Sequence, residues 1–389
     1  MHRPSDIIIA GAGGIGMAVG LLLANYPEIR GRIHIGDRDE NSAQNAARWI
    51  AEGKTHPIDV HGFRMPESGI EGLDAFCSPG GVVLDCLPGS EAPRMARLAL
   101  KNNMHYVNLT EYVAETKEIK QMARDAQTGF VLQTGLAPGF VNILARSLYE
   151  HFVDQTGQER VDRIIMRVGA LTRHTAAPHY YGFTWSPIGV ATEYMKESLV
   201  LRDNQQRWLK SLSDRETLII DGRLYEADLT SGGAADLPQA FEGIATSLDY
   251  KTLRYPGHYA WVQSIIEQVK GEEHPIDALE REMLKQIPAV QEDVIVIYAA
   301  VAGRDEEGML QQIEKSYFLG PTQISGKRLR AIQSTTAAPM AECARLLLDG
   351  KWKGIVLQSQ IEPQSFMAGP FVERIYNRRV PQNGVSLAV

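Results

Sequence analysis

Short apolar runs alternate with amphipathic stretches along the first third of the chain, and the two periods predict different elements. Asp6 to Ala10 reads as a buried strand, Gly14 to Asn25 as a helix ending before Pro27, and Arg32 to Gly36 as a second strand. A helix follows over Asn41 to Glu52, opened by an Asn, then a third strand over Thr55 to His61. A fourth strand spans Gly81 to Cys86, Glu91 to Asn102 is helical, and His105 to Leu109 is a fifth strand. Glu115 to Ala126 is a helix and Phe130 to Gln133 a sixth strand. Strands alternating with helices of about 10–15 residues indicate βαβ units and a parallel, doubly wound sheet. Right-handed crossovers then gather the loops that follow the strands along one carboxyl edge, where ligands bind.

After Phe140 the rhythm changes. Val161 to Leu171 and Val294 to Val301 are strand-like, with aromatic and glycine-rich loops between them. This predicts a second, mixed α/β domain over about 141–332. The amphipathic helix in "AAPMAECARLLLDGKW" is expected outside that domain's sheet.

Length and charge narrow the classes. At 389 residues the chain is long enough for two medium domains, and its 44% hydrophobic and 22% charged residues are ordinary for a globular protein. A net charge of −7 argues against a nucleic-acid surface. Lys327-Arg328-Leu329-Arg330 and Arg378-Arg379 read as solvated faces. The uncharged run Ile7 to Pro27 imitates an export signal or a membrane span, but five glycines weaken it as an inserting helix and Asp6 stands where its apolar part begins. Cys77, Cys86 and Cys343 have neither metal-ligand spacing nor the makings of a disulfide framework, so a reducing, cytoplasmic setting without a metal is expected.

That run has another use. Gly11-Ala12-Gly13-Gly14-Ile15-Gly16 is a G-x-G-x-x-G placed directly after a strand and at the opening of a helix. The first glycine allows the tight turn, the second lets a pyrophosphate approach the backbone, and the third lets helix and strand pack closely. The helix N-terminus offers unpaired N–H groups and a positive dipole end. Asp37 closes the second strand at the offset expected for the acid that accepts the adenosine ribose hydroxyls. Strand, glycines, helix and acid together indicate a dinucleotide. The carboxylate favours NAD over NADP, whereas Arg38 offers a guanidinium that stacks on adenine or meets a 2′-phosphate. Asp59 and Val60 are expected to close the third strand and flank the adenine. Cys86, Leu87 and Pro88 are expected beside the pyrophosphate and nicotinamide ribose, with a small buried core residue as the other reading of Cys86. Competing motifs fail: Gly320 to Arg328 is a mis-spaced P-loop lacking its Ser or Thr, and neither G-x-S-x-G nor H-E-x-x-H occurs.

Three further stretches, "TEYVAETKEI", "LQTGLAPGFVNILA" and "LDYKTLRYPGHY", resemble the saccharopine dehydrogenase family, which includes saccharopine reductases, lysine 6-dehydrogenases and carboxynorspermidine dehydrogenases. The resemblance extends over "TWSPIGVATEY" and "AIQSTTAAPMAECARLLLDGKWKG". It implies a Rossmann-type doubly wound sheet, 1–140 rejoined by 333–389, with an inserted mixed α/β domain over 141–332 that binds substrate and forms a homodimer. Where saccharopine reductases read "GLDPGIDH", this chain has Ala137 for the acid and Asn142 for the histidine. The "APG…N" form is closer to the lysine 6-dehydrogenase type.

The chemistry implied is hydride transfer between a nicotinamide ring and the carbon of a C–N bond, in lysine or polyamine metabolism. The nitrogen must lose its proton first, so a base near the operating pH is needed. His258 in "RYPGHY" is the leading candidate, or else a turn histidine bonded to backbone. Tyr112 and Glu111, after the fifth strand, are placed to orient the amine; Glu111 has the alternative of capping the next helix. Arg254 suits a substrate carboxylate or a structural ion pair. Asn142 serves either substrate or the helix after Pro138-Gly139, and Glu193 is an outside candidate for amine recognition. Three functions are therefore weighed: an amino-acid CH–NH dehydrogenase, a polyamine-forming reductase, and a dinucleotide-binding sensor without turnover, which Ala137 favours.

Overall fold

The computed structural model describes residues 5–111 and 113–377. Six strands of the first part, β1 (Ser5–Ala10), β2 (Gly31–Asp37), β3 (Asp59–Arg64), β4 (Val82–Asp85), β5 (His105–Asn108) and β6 (Gly129–Val131), lie parallel in one sheet. The helices α1 (Gly14–Leu23), α2 (Glu40–Gly53), α3 (Ala92–Lys101) and α4 (Val113–Met122) link them. A short strand near the other end of the chain, Gly354–Val356, adds to β6, so the order is Gly354–Val356, β6, β5, β4, β1, β2, β3. The order reverses between β1 and β4, which opens a crevice at their carboxyl ends. This is the Rossmann-type sheet.

One strand is displaced from its expected place. Thr55 to His61 contains Pro57, which has no N–H to give a ladder, and pairing begins only after it, at Asp59. Asp59 therefore pairs beside Arg32 at the amino end of the sheet, while Arg64 reaches the level of Asp37. At about 3.3 Å per residue, Asp59 and Val60 stand some 13–17 Å from the carboxyl edge, too far to flank an adenine there. Arg64 and Met65 take that position, and Met65 N–H donates to the Asp37 carbonyl at 2.7 Å.

The chain leaves β6 through α5 (Phe140–Thr156) into a second, mixed sheet. Its strands are β7 (Val161–Thr172), β8 (Ser198–Arg202), β9 (Gln205–Leu209), β10 (Glu216–Ile220), β11 (Arg223–Leu229), β12 (Ala245–Arg254), β13 (Asp293–Arg304) and β14 (Leu310–Leu319). The main path runs β10-β11-β12-β7-β13-β14, with β12 and β7 parallel and the other neighbours antiparallel. The helices α6 (Pro187–Met195), α7 (Leu237–Ala240), α8 (His258–Val269) and α9 (Pro275–Gln286) lie in its connections. A hairpin of β15 (Thr322–Ile324) and β16 (Lys327–Leu329) precedes α10 (Ala331–Leu348), then β17 (Gly354–Val356), α11 (Pro363–Met367) and α12 (Pro370–Tyr376). No helix among the described residues is long and apolar enough to cross a membrane.

Helix α10 begins earlier than its apolar pattern suggested and continues through Pro339. A proline there leaves the carbonyl four residues back without its helical donor. The Tyr376 hydroxyl of α12 donates to that carbonyl, Thr335 O, at 2.6 Å, so the helix runs on without an orphaned acceptor. The stretch buries Ala337, Ala338, Met340 and Ala341 in the same core as Val19, Leu22 and Leu23 of α1, which fixes the glycine-bearing helix from behind.

Asn142 does not serve a substrate. Its Oδ1 accepts from Gly139 N–H at 2.7 Å, and its Nδ2 donates to Gly233 O at 3.1 Å and lies 3.5 Å from Met166 Sδ. The side chain is fully buried, so both ends of the amide are spent on capping α5 and pinning it to the second sheet. Asn142→Ala strands a buried N–H and a buried carbonyl. It is expected to lower unfolding free energy by about 1–3 kcal/mol in a denaturant titration, with dinucleotide affinity retained.

Candidate active site

The crevice at the reversal point has the shape of a phosphate cradle. Gly11 sits at φ +102°, a conformation L side chains rarely adopt, and a Cβ there would stand 3.0 Å from Cys86 O. A Cβ at Gly16 would come within 2.0 Å of Gly11 O, so only glycine lets α1 pack this closely on the loop. Nothing lies within 4 Å of the Cβ position of Gly13, the residue that precedes α1. The helix start has no side-chain cap and no acid in its first turn, which leaves its N–H groups for an anion. Gly14 opens α1 against the amide of Gln333 from α10, a neighbour whose role no sequence motif marks. These features fit a dinucleotide pyrophosphate.

Asp37 lies where the cradle needs its acid. Its Oδ2 accepts from Ala12 N–H at 3.0 Å and its Oδ1 from Asp39 N–H at 3.2 Å, holding the half-buried carboxylate at the edge of the glycine loop. Arg38 and Arg64 are both exposed at this end of the sheet. Cys86 continues the ladder beyond β4, its N–H donating to Ala10 O at 2.8 Å. Its carbonyl and the Leu87 side chain wall the glycine turn, while its thiol lies 3.6 Å from Met340 Sδ. Cys86 is thus both packed into the core and, through its backbone, adjacent to the cradle. Leu87 N–H is fixed by Asp85 Oδ1 at 3.1 Å, and Pro88 leads into the 3₁₀ turn Gly89–Glu91.

Beyond the helix start lies a half-open cavity of about 180 Å³ between the two sheets. Ile15 of α1, Glu111 after β5 and Pro138 before α5 line one side; Trp185, Glu193 of α6 and Arg254 of β12 line the other. Tyr250 and Thr252 join Arg254 because alternate residues of a strand share a face. That periodicity in "LDYKTLR" was the signal that would have found Tyr250 and Thr252.

The charges here are unusual. Arg254 is 1% exposed, yet among the described residues it has no carboxylate within ion-pair distance. Its guanidinium lies over the Tyr181 ring, 4.6 Å from the centroid, a cation–π contact that holds the charge in place of an anion. Glu193 is buried as well, and its carboxyl makes no hydrogen bond or ion pair among those residues. Burial pushes Glu193 up to about 8; the positive charge of Arg254 opposes the shift and Glu111 reinforces it. Glu111 is itself raised, chiefly by burial. Two carboxyls and a guanidinium thus share one cavity with the residue after the glycine turn.

His258 is elsewhere. It forms the first turn of α8, fully buried and absent from the cavity wall, with Nε2 2.9 Å from Tyr194 Oη and Nδ1 2.6 Å from His179 O. Burial, aided by the charge of Arg254, pulls it down to about 3, so it stays neutral across the physiological range and does not titrate near neutrality as its Pro-Gly setting suggested. Tyr112 lies outside the described residues. No group of three or more metal-ligating side chains occurs among those residues.

Two family models tile the chain. The one described as the saccharopine dehydrogenase NADP binding domain matches residues 7–132, and the saccharopine dehydrogenase C-terminal domain matches 135–379. Alpha-aminoadipic semialdehyde synthase of Arabidopsis thaliana is 25% identical over 202 residues, which is 49% of this chain and only 19% of that protein. Among solved structures, apo saccharopine dehydrogenase (L-Glu forming) from Saccharomyces cerevisiae is similar with a TM-score of 0.69 and 15% identity, covering 90% of this chain and 93% of that one. Homospermidine synthase from Legionella pneumophila in complex with NAD follows at 0.65 and 11%, covering 96% and 90%. These likenesses show a shared fold. Together with the cradle at the sheet reversal and the family models that span nearly every described residue, they place this chain in the saccharopine dehydrogenase family.

Proposed function

We propose that the protein is an NAD(P)-dependent oxidoreductase acting on the CH–NH group of an amino acid, of the saccharopine dehydrogenase or lysine 6-dehydrogenase kind. The observation that carries this reading is the cavity itself: Glu193, Glu111 and Arg254 converge at the open end of the phosphate cradle. A nicotinamide ring bound there supplies the hydride acceptor in oxidation and the donor in reduction.

The chain's own residues do the rest. Arg254 holds a substrate carboxylate with the edge of its guanidinium that has no partner. Glu193, ionised above about pH 8, takes the proton from the substrate ammonium, whose ordinary pKa is near 10; the freed lone pair then drives hydride from the adjacent carbon to the nicotinamide and a protonated imine forms. In the reverse direction the neutral Glu193 returns that proton to nitrogen. Glu111 places a second carboxyl beside the amine, and Ile15, Leu109 and Trp185 give the cavity apolar walls.

A second reading, a polyamine-forming reductase of the carboxynorspermidine type, draws on the same pair of carboxyls, which suits a substrate with more than one amine. Asp37 favours NAD, with NADP open because Arg38 and Arg64 stand at the same edge. The homodimer implied by the family belongs to this proposal, supported by Ile219 and Leu224, which are 71% and 48% exposed on the hairpin of β10 and β11. A reducing compartment is proposed with it, on the unpaired Cys77, Cys86 and Cys343.

Purified protein should reduce NAD with lysine or a secondary-amine derivative of it. Reductive coupling of a diamine with an aldehyde, in the absence of that activity, would favour the polyamine reading; nucleotide binding without any amine-dependent redox change would favour a silent sensor. The pH profile of kcat/KM should rise to a limb near pH 8 as Glu193 ionises. Glu193→Gln should remove that limb and cost about 10²–10⁴-fold in rate, leaving only the rise set by the substrate amine. Asp37→Ala should weaken NAD about tenfold or more in calorimetry while sparing NADP, since the lost carboxylate repels a 2′-phosphate.

A further inference from the structure

Arg254 reaches the cavity as the last link of a directed chain of hydrogen bonds. His179 O is a backbone carbonyl and only accepts, so Nδ1 of His258 carries the proton and donates to it at 2.6 Å. In the neutral ring Nε2 is then an acceptor, and it takes the Tyr194 hydroxyl proton at 2.9 Å. The Tyr194 oxygen in turn accepts from Arg254 Nε at 2.7 Å. Arg254 Nη1 donates to Leu253 O at 2.9 Å, and Nη2 has no partner among the described residues. Every proton in this chain has one place to go, and each group lies in the interior: His258 and Arg254 are 0% and 1% exposed and Tyr194 is 2% exposed.

We propose that Tyr194 and His258 are positioning residues that aim the free edge of Arg254 into the cavity, and that this aim selects amines bearing a carboxylate over amines without one. The inference rests on the proposed CH–NH chemistry for its choice of substrate and extends it to residues that touch no reactant. Three features make the aim rigid. The guanidinium is clamped edge-on by Tyr194 and face-on by the Tyr181 ring at 4.6 Å. Tyr194 follows Glu193 on α6, so the helix that presents the carboxyl also orients the guanidinium. The chain is anchored at its far end in the backbone of the connection between β7 and α6, the segment that also brings Trp185 to the cavity. An arginine left to swing in this space would turn its charge toward Glu193; the chain keeps it for an incoming anion.

Lysine and cadaverine test this, since they share a terminal amine and a five-carbon chain but only lysine has a carboxylate. With Tyr194→Phe or His258→Phe, KM for lysine should rise about tenfold or more, as expected for a misdirected charge-assisted hydrogen bond, with kcat changed far less. Cadaverine and dinucleotide affinities should stay within about twofold. His258→Gln, whose amide oxygen can still accept from Tyr194, should recover most of the lysine KM. The same comparison made by calorimetry with dinucleotide present does not require turnover. Wild-type protein that binds lysine over cadaverine without oxidising it would sink the CH–NH reading and leave the positioning role standing. Equal losses for lysine and cadaverine, a fall in melting temperature with KM unchanged, or wild-type protein that binds neither ligand would overturn the positioning role.

Discussion

A buried guanidinium and a buried carboxyl line one cavity, and neither has an ion-pair partner there among the described residues. Isolated charges are costly in a protein interior, by several kcal/mol even after relaxation, and the two groups escape that cost differently. Glu193 can shed its charge by keeping its proton, and burial pushes it up to about 8 for that reason. Arg254 cannot, because a guanidinium does not deprotonate in proteins, so its charge is spread over the faces of Tyr181 and Tyr194 and one donor pair is left over. Such an arrangement is poorly explained as packing. In the proposed function, an ammonium beside Glu193 and an anion beside Arg254 complete it.

The two sheets are arranged to make that cavity. The first contributes the glycine loop, where a missing Cβ at Gly16 lets α1 approach and Gly13 leaves open space that fits a phosphate. The second contributes Arg254 at the end of β12 and Glu193 on α6. Helix α10 packs against α1 and carries Gln333 to the helix start, while Asn142 ties the start of α5 to Gly233 of the second domain. The cradle therefore sits at a fixed place relative to Glu193 and Arg254, and the proposed catalysis by positioning depends on that.

What the sequence disclosed follows from which signals are local. The glycines, Asp37 and the first two strands form one continuous stretch, so motif and period agreed with each other. The third strand begins later than expected because Pro57 has no N–H to give the ladder, and Asp59 and Val60 therefore fall at the other end of the sheet. Asn142 and His258 were legible as polar residues in marked positions, but not as buried ones. For Asn142, Gly233 is distant in sequence; for His258, the deciding partners Tyr194 and His179 are. Glu193 stood on an apolar helix with no motif of its own, and only the meeting of α6 with β12 makes it prominent. The resemblance in "GLAPG" and "TLRYPGH" carried the family, whereas the roles of single side chains needed the packing.

The most direct test is a crystal structure of the protein with a nicotinamide dinucleotide and lysine bound together. The account predicts the pyrophosphate over Gly13, the amine nitrogen within hydrogen-bond reach of Glu193, and the carboxylate on Nη2 of Arg254. A dinucleotide seated away from the glycine loop, or an amine bound outside this cavity with Glu193 and Arg254 facing only solvent, would contradict it.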